Sequence, residues 1–329
     1  MSALAPTLQA FFTERLLAQR RASPHTIAAY RDAFCLLLGF VESEVGKAPA
    51  KLELEDLDAA LIGAFLDHLE RDRHNGVRTR NARLAAIHSL YRFAALRHPE
   101  HAGLIERILA IPPKRFEREI VTFLTDPEVE AILAAPDRSS FVGRRDHALL
   151  LVAIQTGLRV SELVGLRCED VVLGTGAHVR CIGKGRKERA TPLTTTTAAV
   201  LKVWLDELDT QPTDPLFPTR QGTPLSRYGV TVLVARHADA ATASCPSLAT
   251  KKVSPHVLRH TAAMRLLHAG VDTSVIALWL GHEGVETTQI YVHADLTLKE
   301  RALARTAPID SKPGRYRPSD ALLAFLESL

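Results

Sequence analysis

The sequence predicts a mainly α-helical protein with one small β-sheet, an α+β chain of two domains. Apolar residues recur at the three- and four-residue spacing of helices through most of the 329 residues. Alternation of period two, typical of a half-buried strand, occurs within residues 178–193. The proline pair Pro112-Pro113 interrupts the helical pattern and predicts a linker between the domains.

The first 110 residues predict a helical domain. Ser23 followed by Pro24 supplies an N-cap and a proline at the first helical position, so a helix is expected to begin there. Apolar residues at helical spacing predict a second helix over 58–71 and a third from about 79 to 96. A linker is then expected over 111–119.

The third predicted helix carries a row of arginines with hardly an acidic residue nearby. Arginines on one helix face neutralise the backbone phosphates of DNA and make binding strongly dependent on salt. A solvated basic face is the alternative interpretation of such a row on its own. The DNA contacts predicted here are Arg78, Arg80, Arg83 and Arg92.

A second domain is expected over 120–307, followed by a tail over 308–329. Thr125 and the residues after it form a helix start, and the strongly apolar helix 145–156 ends at Gly157. A β-hairpin is predicted within 178–193, and residues 241–253, rich in Ala, Ser and Thr, predict a flexible loop. Further helices are expected near 196–208, 226–240, 255–268 and 273–280, with a last one carrying Tyr291.

Composition limits the class of protein. The net charge is +4, and the 46% share of hydrophobic residues is ordinary for a globular protein. The four cysteines lack the paired spacing of a zinc site or a disulfide framework. A secretory signal and an apolar run of about 20 residues are both absent from the sequence. A soluble cytoplasmic protein without a bound metal is expected.

Two basic motifs stand before and within the predicted hairpin. Arg159 follows Gly157 and is expected beside a helix N-terminus, which favours an anion, with Glu162 on the same face to orient it. A surface ion pair is the alternative. Lys184, flanked by glycines, has a mobile ammonium that could protonate a leaving oxygen. A merely basic turn is the alternative, and Lys187 competes for the role.

A third motif follows a well-capped helix start at Ser254 and Pro255. His256 lies in the first turn and Arg259 one turn later, so both are expected on one face. His260 is expected to pack against the domain rather than to enter the site.

The fourth motif combines a histidine and a tyrosine. Gly281 is expected to end a helix and to direct His282 outward, and Tyr291 follows nine residues later. Tyrosine is a poor nucleophile at its ordinary pKa of about 10, so it needs a phosphate whose charge is already neutralised. A lone tyrosine would more often be a core residue. Beside the basic motifs, Tyr291 predicts attack on a phosphodiester.

The motifs TGLRVSEL, GKGRKER, HVLRH, LGH and TTQIY stand in this order in the sequence. With them the chain resembles the tyrosine recombinase (phage integrase) family, most closely its Xer-like branch, over nearly its whole length. The resemblance implies a helical core-binding domain of the SAM-like type over 1–110 and a catalytic domain over 120–307. It implies a site-specific DNA recombinase, either the integrase or transposase of a mobile element or a Xer-like resolvase.

The resemblance also assigns roles to the motif residues. Arg159 and Arg259 would clamp the scissile phosphate, and Tyr291 would attack it to form a 3′-phosphotyrosyl intermediate. The remaining catalytic positions implied are Lys184 as general acid, His256 in proton transfer, His282 as a phosphate ligand and Glu162 in support. No metal, cofactor or ATP is implied.

Partners follow from the same resemblance. The chain would bind a double-stranded recombination site as a homotetramer on two sites, alone or with a partner recombinase, in the bacterial nucleoid and away from membranes. The amphipathic end of the tail 308–329 would pack into a neighbouring protomer, with packing against its own domain as the alternative. A type IB topoisomerase and a DNA-binding protein without catalysis are the two competing functions.

Overall fold

The computed structural model describes residues 3–116, 121–183, 188–208 and 211–282, together with Thr288 and Tyr291. The chain divides into two compact units, Met1–Arg118 and Glu119–Leu329. Within the described ranges, no helix is long and apolar enough to cross a membrane. No cluster of three or more His, Cys, Asp or Glu side chains in those ranges is arranged to hold a metal ion.

The first unit is helical in its described part, as predicted. Ser23 caps α2, accepting a hydrogen bond from Thr26 N at 3.1 Å, and Asp58 caps α3 in the same way through Leu61 N at 2.8 Å. A π-type helical segment, Phe11–Gln19, continues α1 and places the Phe11 ring in the core. The helices are α1 (Leu4–Ala10), α2 (Pro24–Val45), α3 (Ala59–Arg71), α4 (Val77–Ala94) and α5 (Ala102–Leu109).

The arginines of α4 do not form one exposed face. Arg78 and Arg92 are exposed, and Arg83 is half-buried with a guanidinium that donates to Ala29 O at 3.0 Å. Arg80 is buried, and its guanidinium donates to the carbonyl of Pro112 at 3.2 Å. Arg80 therefore holds the chain that leaves this unit and is not available to a phosphate, contrary to the expectation from spacing.

The same chain segment is also held by a side-chain amide. Asn81 donates from Nδ2 to the carbonyl of Lys114 at 2.8 Å and accepts from the backbone N–H of Lys114 at 3.0 Å. The ammonium of Lys114 in turn donates to Glu70. Residues 111–116 have no regular secondary structure, yet these bonds fix 112–114 against α3 and α4.

The second unit combines helices with a three-stranded antiparallel sheet in the order β1-β2-β3. The register of β2 and β3 pairs Val179 with Thr191 and Cys181 with Arg189, which turns these four side chains to one face. The strands are β1 (Val171–Val172), β2 (His178–Ile182) and β3 (Glu188–Pro192). The helices are α6 (Asp126–Ala134), α7 (Phe141–Thr156), α8 (Val160–Val164), α9 (Thr195–Leu208), α10 (Arg227–Ala241), α11 (Pro255–His268) and α12 (Thr273–Leu280).

Helix α7 is the centre of this unit and packs against α6, α9 and α11. Its apolar residues point in all directions, which is the pattern of a helix buried on every side. The fully buried carboxylate of Asp146 accepts from Arg145 at 2.7 Å and from Arg236 at 2.7 Å, and it is paired with His237 at 2.8 Å. This network ties α7 to α10.

Residues 241–253 are a packed connection and not the flexible loop that their composition predicts. A 3₁₀ helix, Pro246–Thr250, buries Leu248. The ammonium of Lys251 donates to the buried carboxylate of Glu128 at 2.6 Å and to Phe123 O at 2.9 Å. Ser247 and Lys251 both donate to Glu128, which lies 119 and 123 residues before them in sequence, and these bonds hold the segment.

Gly157 ends α7 in a left-handed conformation, with φ of 64°. A Cβ at this position would lie 2.6 Å from Leu280 Cδ2 and 3.1 Å from Ala262 Cβ. We expect Gly157→Ala to lower the free energy of unfolding by about 1–3 kcal/mol through backbone strain, with a further loss from the overlap. Chemical denaturation of the full chain measures the change.

The matched control is Gly39→Ala in α2, where φ is ordinary and no described atom outside the backbone of the same helix and the neighbouring residues lies within 4 Å of the added Cβ. Alanine stabilises a helix interior relative to glycine, so this variant should be as stable as the wild type or slightly more stable. Equal stability of Gly157→Ala and Gly39→Ala would contradict the steric account of this turn.

Candidate functional site

Arg259 lies one turn into α11 and is only 5% exposed. Its guanidinium donates to the carbonyl of Gly157 at 2.6 Å and to the carbonyl of Leu280 at 2.8 Å. These carbonyls belong to the chain ends that leave α7 and α12. Burial, reinforced by the charge of Arg159, lowers the pKa of Arg259 to about 10, so the side chain is cationic at neutral pH.

Arg159 reaches the next carbonyl along the same chain end. It donates to Gly281 O at 2.9 Å and to the carboxylate of Glu162 at 2.9 Å. Consecutive carbonyls, those of Leu280 and Gly281, thus accept from the two guanidiniums. The carbonyls at a helix C-terminus lack intrahelical donors and carry partial negative charge, so they suit cationic partners.

Glu162 is 8% exposed and accepts from two arginines. Its Oε1 accepts from Arg159 and from Arg189, each at 2.9 Å, and its Oε2 accepts from Arg189 at 2.8 Å. The backbone N–H of Arg159 donates to the same Oε2 at 2.8 Å. Burial by itself would raise the pKa of Glu162, but the hydrogen bonds from Arg189 and Arg159 outweigh it and hold that pKa below its ordinary value.

Arg189, on β3, belongs to the site although motif spacing did not single it out. A Cβ on Gly281 would lie 2.8 Å from the Arg189 guanidinium, so this guanidinium packs directly on the bare Cα of Gly281. The buried Nε of Arg189 has no hydrogen-bond partner among the described atoms. The available signal was the strand alternation of β3, which turns Arg189 to the same face as buried Thr191.

Tyr291 is 2% exposed and joins a cluster of α11 and α12 side chains that includes Met264, Ile276 and Leu280. Burial raises the pKa of Tyr291, while the charges of Arg259 and Arg159 act in the opposite direction without overcoming it. The phenol is therefore protonated at neutral pH in this structure, and two cationic side chains lie near enough to influence it.

His260 lies beside the phenol of Tyr291, whereas the sequence predicts only that it packs against the domain. Its Nδ1 is 3.1 Å from the Tyr291 hydroxyl, and the two rings are 5.5 Å apart at 61°. His256 is exposed at the start of α11, with its ring 6.4 Å from that of His260. Sequence spacing of four made both histidines possible, and the contact with Tyr291 distinguishes them.

His282 follows Gly281 and is half-buried rather than directed outward. Its Nδ1 is 2.8 Å from Thr288 Oγ1, and its ring stacks on Tyr291 with centroids 6.4 Å apart. Burial and the charges of Arg259, Arg159 and Arg189 lower the pKa of His282 to about 4. The imidazole is thus neutral at physiological pH.

The structure brings together five of the six residues predicted for catalysis, with His256 at the edge of the group. Lys184 lies outside the described residues, as do Lys187 and the tail 308–329. The described group offers cationic donors for an anion, a buried phenol and neutral imidazoles. Such an arrangement can bind a phosphodiester and deliver an oxygen nucleophile to it.

Comparison with known families finds two matches along the chain. The model of the phage integrase family matches residues 122–297. The model of the phage integrase N-terminal SAM-like domain matches residues 10–98. The first match covers the candidate site, and the second covers α2, α3 and α4.

Relatives that align with most of the chain include an integrase/recombinase and a Xer recombinase. "Putative integrase/recombinase y4rC" of Sinorhizobium fredii is 57% identical over 328 residues, which span 100% of this chain and 99% of the relative. Tyrosine recombinase XerC of Pelobacter propionicus is 34% identical over 289 residues, 87% of this chain and 90% of the relative. These matches confirm the resemblance that the five sequence motifs indicate.

Solved structures share the fold. The XerH site-specific recombinase bound to palindromic difH substrate aligns with a TM-score of 0.67 at 23% identity, over 87% of this chain and 81% of that chain. The Tn1549 transposon integrase in complex with transposon right end DNA aligns with a TM-score of 0.68 at 15% identity, over 93% of this chain and 99% of that chain. At these identities the likeness concerns the fold, and it confirms the predicted fold class.

The carboxylate of Glu162 makes a pH-dependent contribution to stability. Its pKa is lower in the folded chain than the ordinary 4.5, so ionised Glu162 stabilises the fold above that pH, and the contribution is lost as the pH falls toward the folded-state pKa. We expect Glu162→Gln to cost about 3–5 kcal/mol at pH 7, because Arg159 and Arg189 lose their buried counterion. The difference from wild type should shrink as the pH falls below 4.5.

Denaturation at a series of pH values measures this difference, with Glu169→Gln as the control. The Glu169 side chain is 44% exposed and lies 3.9 Å from Arg167, so its loss should change stability little at any pH. A gap between wild type and Glu162→Gln that stays constant from pH 7 to pH 3 would contradict the assignment.

Proposed function

Because this chain belongs to the phage integrase family and is a tyrosine site-specific recombinase of the Xer-like branch, we propose that Tyr291 is its nucleophile. Attack of the phenolic oxygen on a scissile phosphodiester forms a 3′-phosphotyrosyl bond and releases a 5′-hydroxyl. The observation that supports this assignment is the phenol itself, buried against His260 and His282 within the electrostatic influence of Arg159 and Arg259.

The two arginines hold the phosphate in this proposal. Each guanidinium has five N–H donors, and the bonds described for Arg159 and Arg259 use two in each, to Gly281 O and Glu162 and to Gly157 O and Leu280 O. Fixed cations stabilise the charge that develops on the phosphorus oxygens, and they need no reorganisation during the reaction.

Positioning residues complete the site. Glu162 fixes Arg159 through hydrogen bonds to its guanidinium and to its backbone N–H. His282, neutral and adjacent to the phenol, donates a hydrogen bond to a phosphate oxygen. His256, exposed at the start of α11, assists proton transfer at the phosphate.

The leaving group needs a proton. We assign it to Lys184, whose ammonium gives a proton to the departing 5′-oxygen, with Lys187 in contact with the DNA backbone. In the rejoining step a 5′-hydroxyl attacks the phosphotyrosyl bond and restores Tyr291. The phosphotyrosyl bond keeps the energy of the broken phosphodiester, so the cycle consumes no ATP.

The substrate is a double-stranded recombination site. Relatives with the same fold are described in complex with a difH substrate and with transposon right end DNA. A 57% identical relative is described as an integrase/recombinase, and this favours the recombinase of a mobile element over a housekeeping resolvase. The protein acts on DNA in the nucleoid of a bacterial cytoplasm.

Recombination joins four DNA ends, so we propose a homotetramer on two sites, alone or with a partner recombinase. The tail 308–329 supplies the contact between neighbouring protomers. The mass of the complex on paired sites tests the assembly, and complexes of one protomer per site would exclude it.

The first experiment is covalent trapping on nicked suicide duplexes made from DNA that flanks the chain's own gene. Wild-type protein should form a protein–DNA adduct on a denaturing gel, and Tyr291→Phe should form none, because it lacks the attacking oxygen. Adduct formation by Tyr291→Phe would overturn the assignment of the nucleophile. Tight binding without any adduct would support a DNA-binding protein without catalysis. In a separate plasmid assay, relaxation of any supercoiled plasmid would support a topoisomerase.

The arginines of α4 provide a second test, on binding. Arg78 and Arg92 are exposed, and we expect each alanine variant to weaken DNA binding and to reduce the slope of log K against log salt by about 1. Arg107→Ala, an exposed arginine of α5, is the control and should keep the wild-type slope. Slopes that do not change in Arg78→Ala and Arg92→Ala would place the DNA on another face.

A further inference from the structure

The two histidines of α11 stand in different relations to the nucleophile. His256 is exposed and is separated from His260 by one helical turn. His260 is half-buried, and its Nδ1 is within hydrogen-bond distance of the Tyr291 hydroxyl, at 3.1 Å. Among the described residues, His260 is the hydrogen-bond partner found for this hydroxyl.

The surroundings of His260 keep its imidazole neutral. Burial comes first, and the charges of His256 and Arg259 on its own helix add to it, so that the pKa of His260 falls to about 4. From the other elements, Tyr291 and His282 face it. A neutral imidazole has one ring nitrogen with a free lone pair, which can accept the phenolic hydrogen.

The phenol of Tyr291 needs such an acceptor. Its pKa is raised by burial, and at 2% exposure it has almost no contact with solvent. A phenol that attacks phosphorus must lose its proton during the reaction, and bulk water is in a poor position to receive it. A base in contact with the hydroxyl solves this problem through a single hydrogen bond.

We propose that His260 is the catalytic residue that receives the phenolic proton of Tyr291, an inference that rests on the proposed role of Tyr291 as nucleophile. As the bond from the phenolic oxygen to phosphorus forms, the bond from phosphorus to the 5′-oxygen breaks. The phenolic proton moves to Nδ1 of His260, and the 5′-oxygen receives a proton from Lys184. In the rejoining step both protons return, so the cycle requires no further reactant.

The experiment measures the single-turnover rate of adduct formation on the nicked duplexes for the wild type, His260→Ala and His260→Asn. We expect His260→Ala to be about 100-fold slower, the usual contribution of general base catalysis. The amide of asparagine can accept the phenolic hydrogen bond near the position of Nδ1 but cannot take up the proton. His260→Asn should therefore stay within about tenfold of His260→Ala, and recovery of the wild-type rate would overturn the proposal.

A second measurement separates proton transfer from packing. Replacing Tyr291 with 3,5-difluorotyrosine gives a more acidic phenol, which depends less on a base. The rate gap between wild type and His260→Ala should then narrow, whereas a gap that reflects only altered packing would stay the same. The rate difference between wild type and His256→Ala should be the same with tyrosine and with 3,5-difluorotyrosine at position 291. If that difference narrows with the fluorinated phenol, and the difference for His260→Ala does not, the base is His256.

A further variant in α11 controls for unspecific effects of a substitution in this helix. His268→Ala, a substitution of an exposed histidine at the other end of α11, should keep the wild-type rate. If His260→Ala fails to fold, His260→Asn, which keeps a polar group beside the hydroxyl, carries the fluorotyrosine comparison. No adduct with wild-type protein would refute the proposed function, whereas a Tyr291-dependent adduct with equal rates in wild type and His260→Asn would refute this inference alone.

Discussion

The C-terminal end of α12 is the feature on which the site depends. Two consecutive carbonyls, of Leu280 and Gly281, accept hydrogen bonds from Arg259 and Arg159. Two guanidiniums repel each other, and the repulsion contributes to the lowered pKa of Arg259. The partial negative charge of unsatisfied helix carbonyls offsets this repulsion and fixes both side chains in one place. A bare Cα at Gly281 also lets Arg189 approach the same turn.

The charge balance of the group explains its chemistry. Arg159 and Arg189 contact the carboxylate of Glu162, whereas Arg259, among the described residues, is bonded only to carbonyls. Three cations with one carboxylate give the described core of the site a net positive charge, which favours an anion. Burial, with the charge of Arg259 as a further cause in both cases, lowers the pKa of His260 and His282 to about 4 and keeps both imidazoles neutral. In the proposed mechanism, arginines that stay protonated at physiological pH bind the phosphate, and the neutral imidazoles take part in proton transfer and hydrogen bonding.

Burial of Tyr291 and Arg259, at 2% and 5% exposure, has a direct consequence for binding. The phenol belongs to an apolar cluster with Met264 and Leu280, and Val121 and Phe123 at the beginning of the second unit pack against that cluster. A phosphodiester can reach Arg259 only if side chains around it move, whereas the side chain of Arg159 is already 30% exposed. The phenol is accordingly shielded from solvent and protonated at neutral pH in this structure.

The sequence by itself predicted most of the helices, the two strands of the hairpin and most of the residue types of the candidate site, but not α1 or α5 as separate elements. Ser23, Ser254 and Gly157 set helix ends through hydrogen bonds and backbone angles within a few residues, so local patterns were enough. Strand β1, the burial of Arg80 and the packing of 241–253 depend on partners far along the chain, and local patterns could not reveal them.

The tertiary structure decided which side chains meet. Arg189 and Glu162 are 27 residues apart, and His260 and Tyr291 are 31 residues apart, so no local spacing relates them. Along α11, spacing of three or four residues allowed His256, Arg259 and His260 to share a face. Only the packing of α12 and Tyr291 against that helix selects His260 for the phenol, because a hydrogen bond depends on the distance between two atoms and not on their separation in sequence.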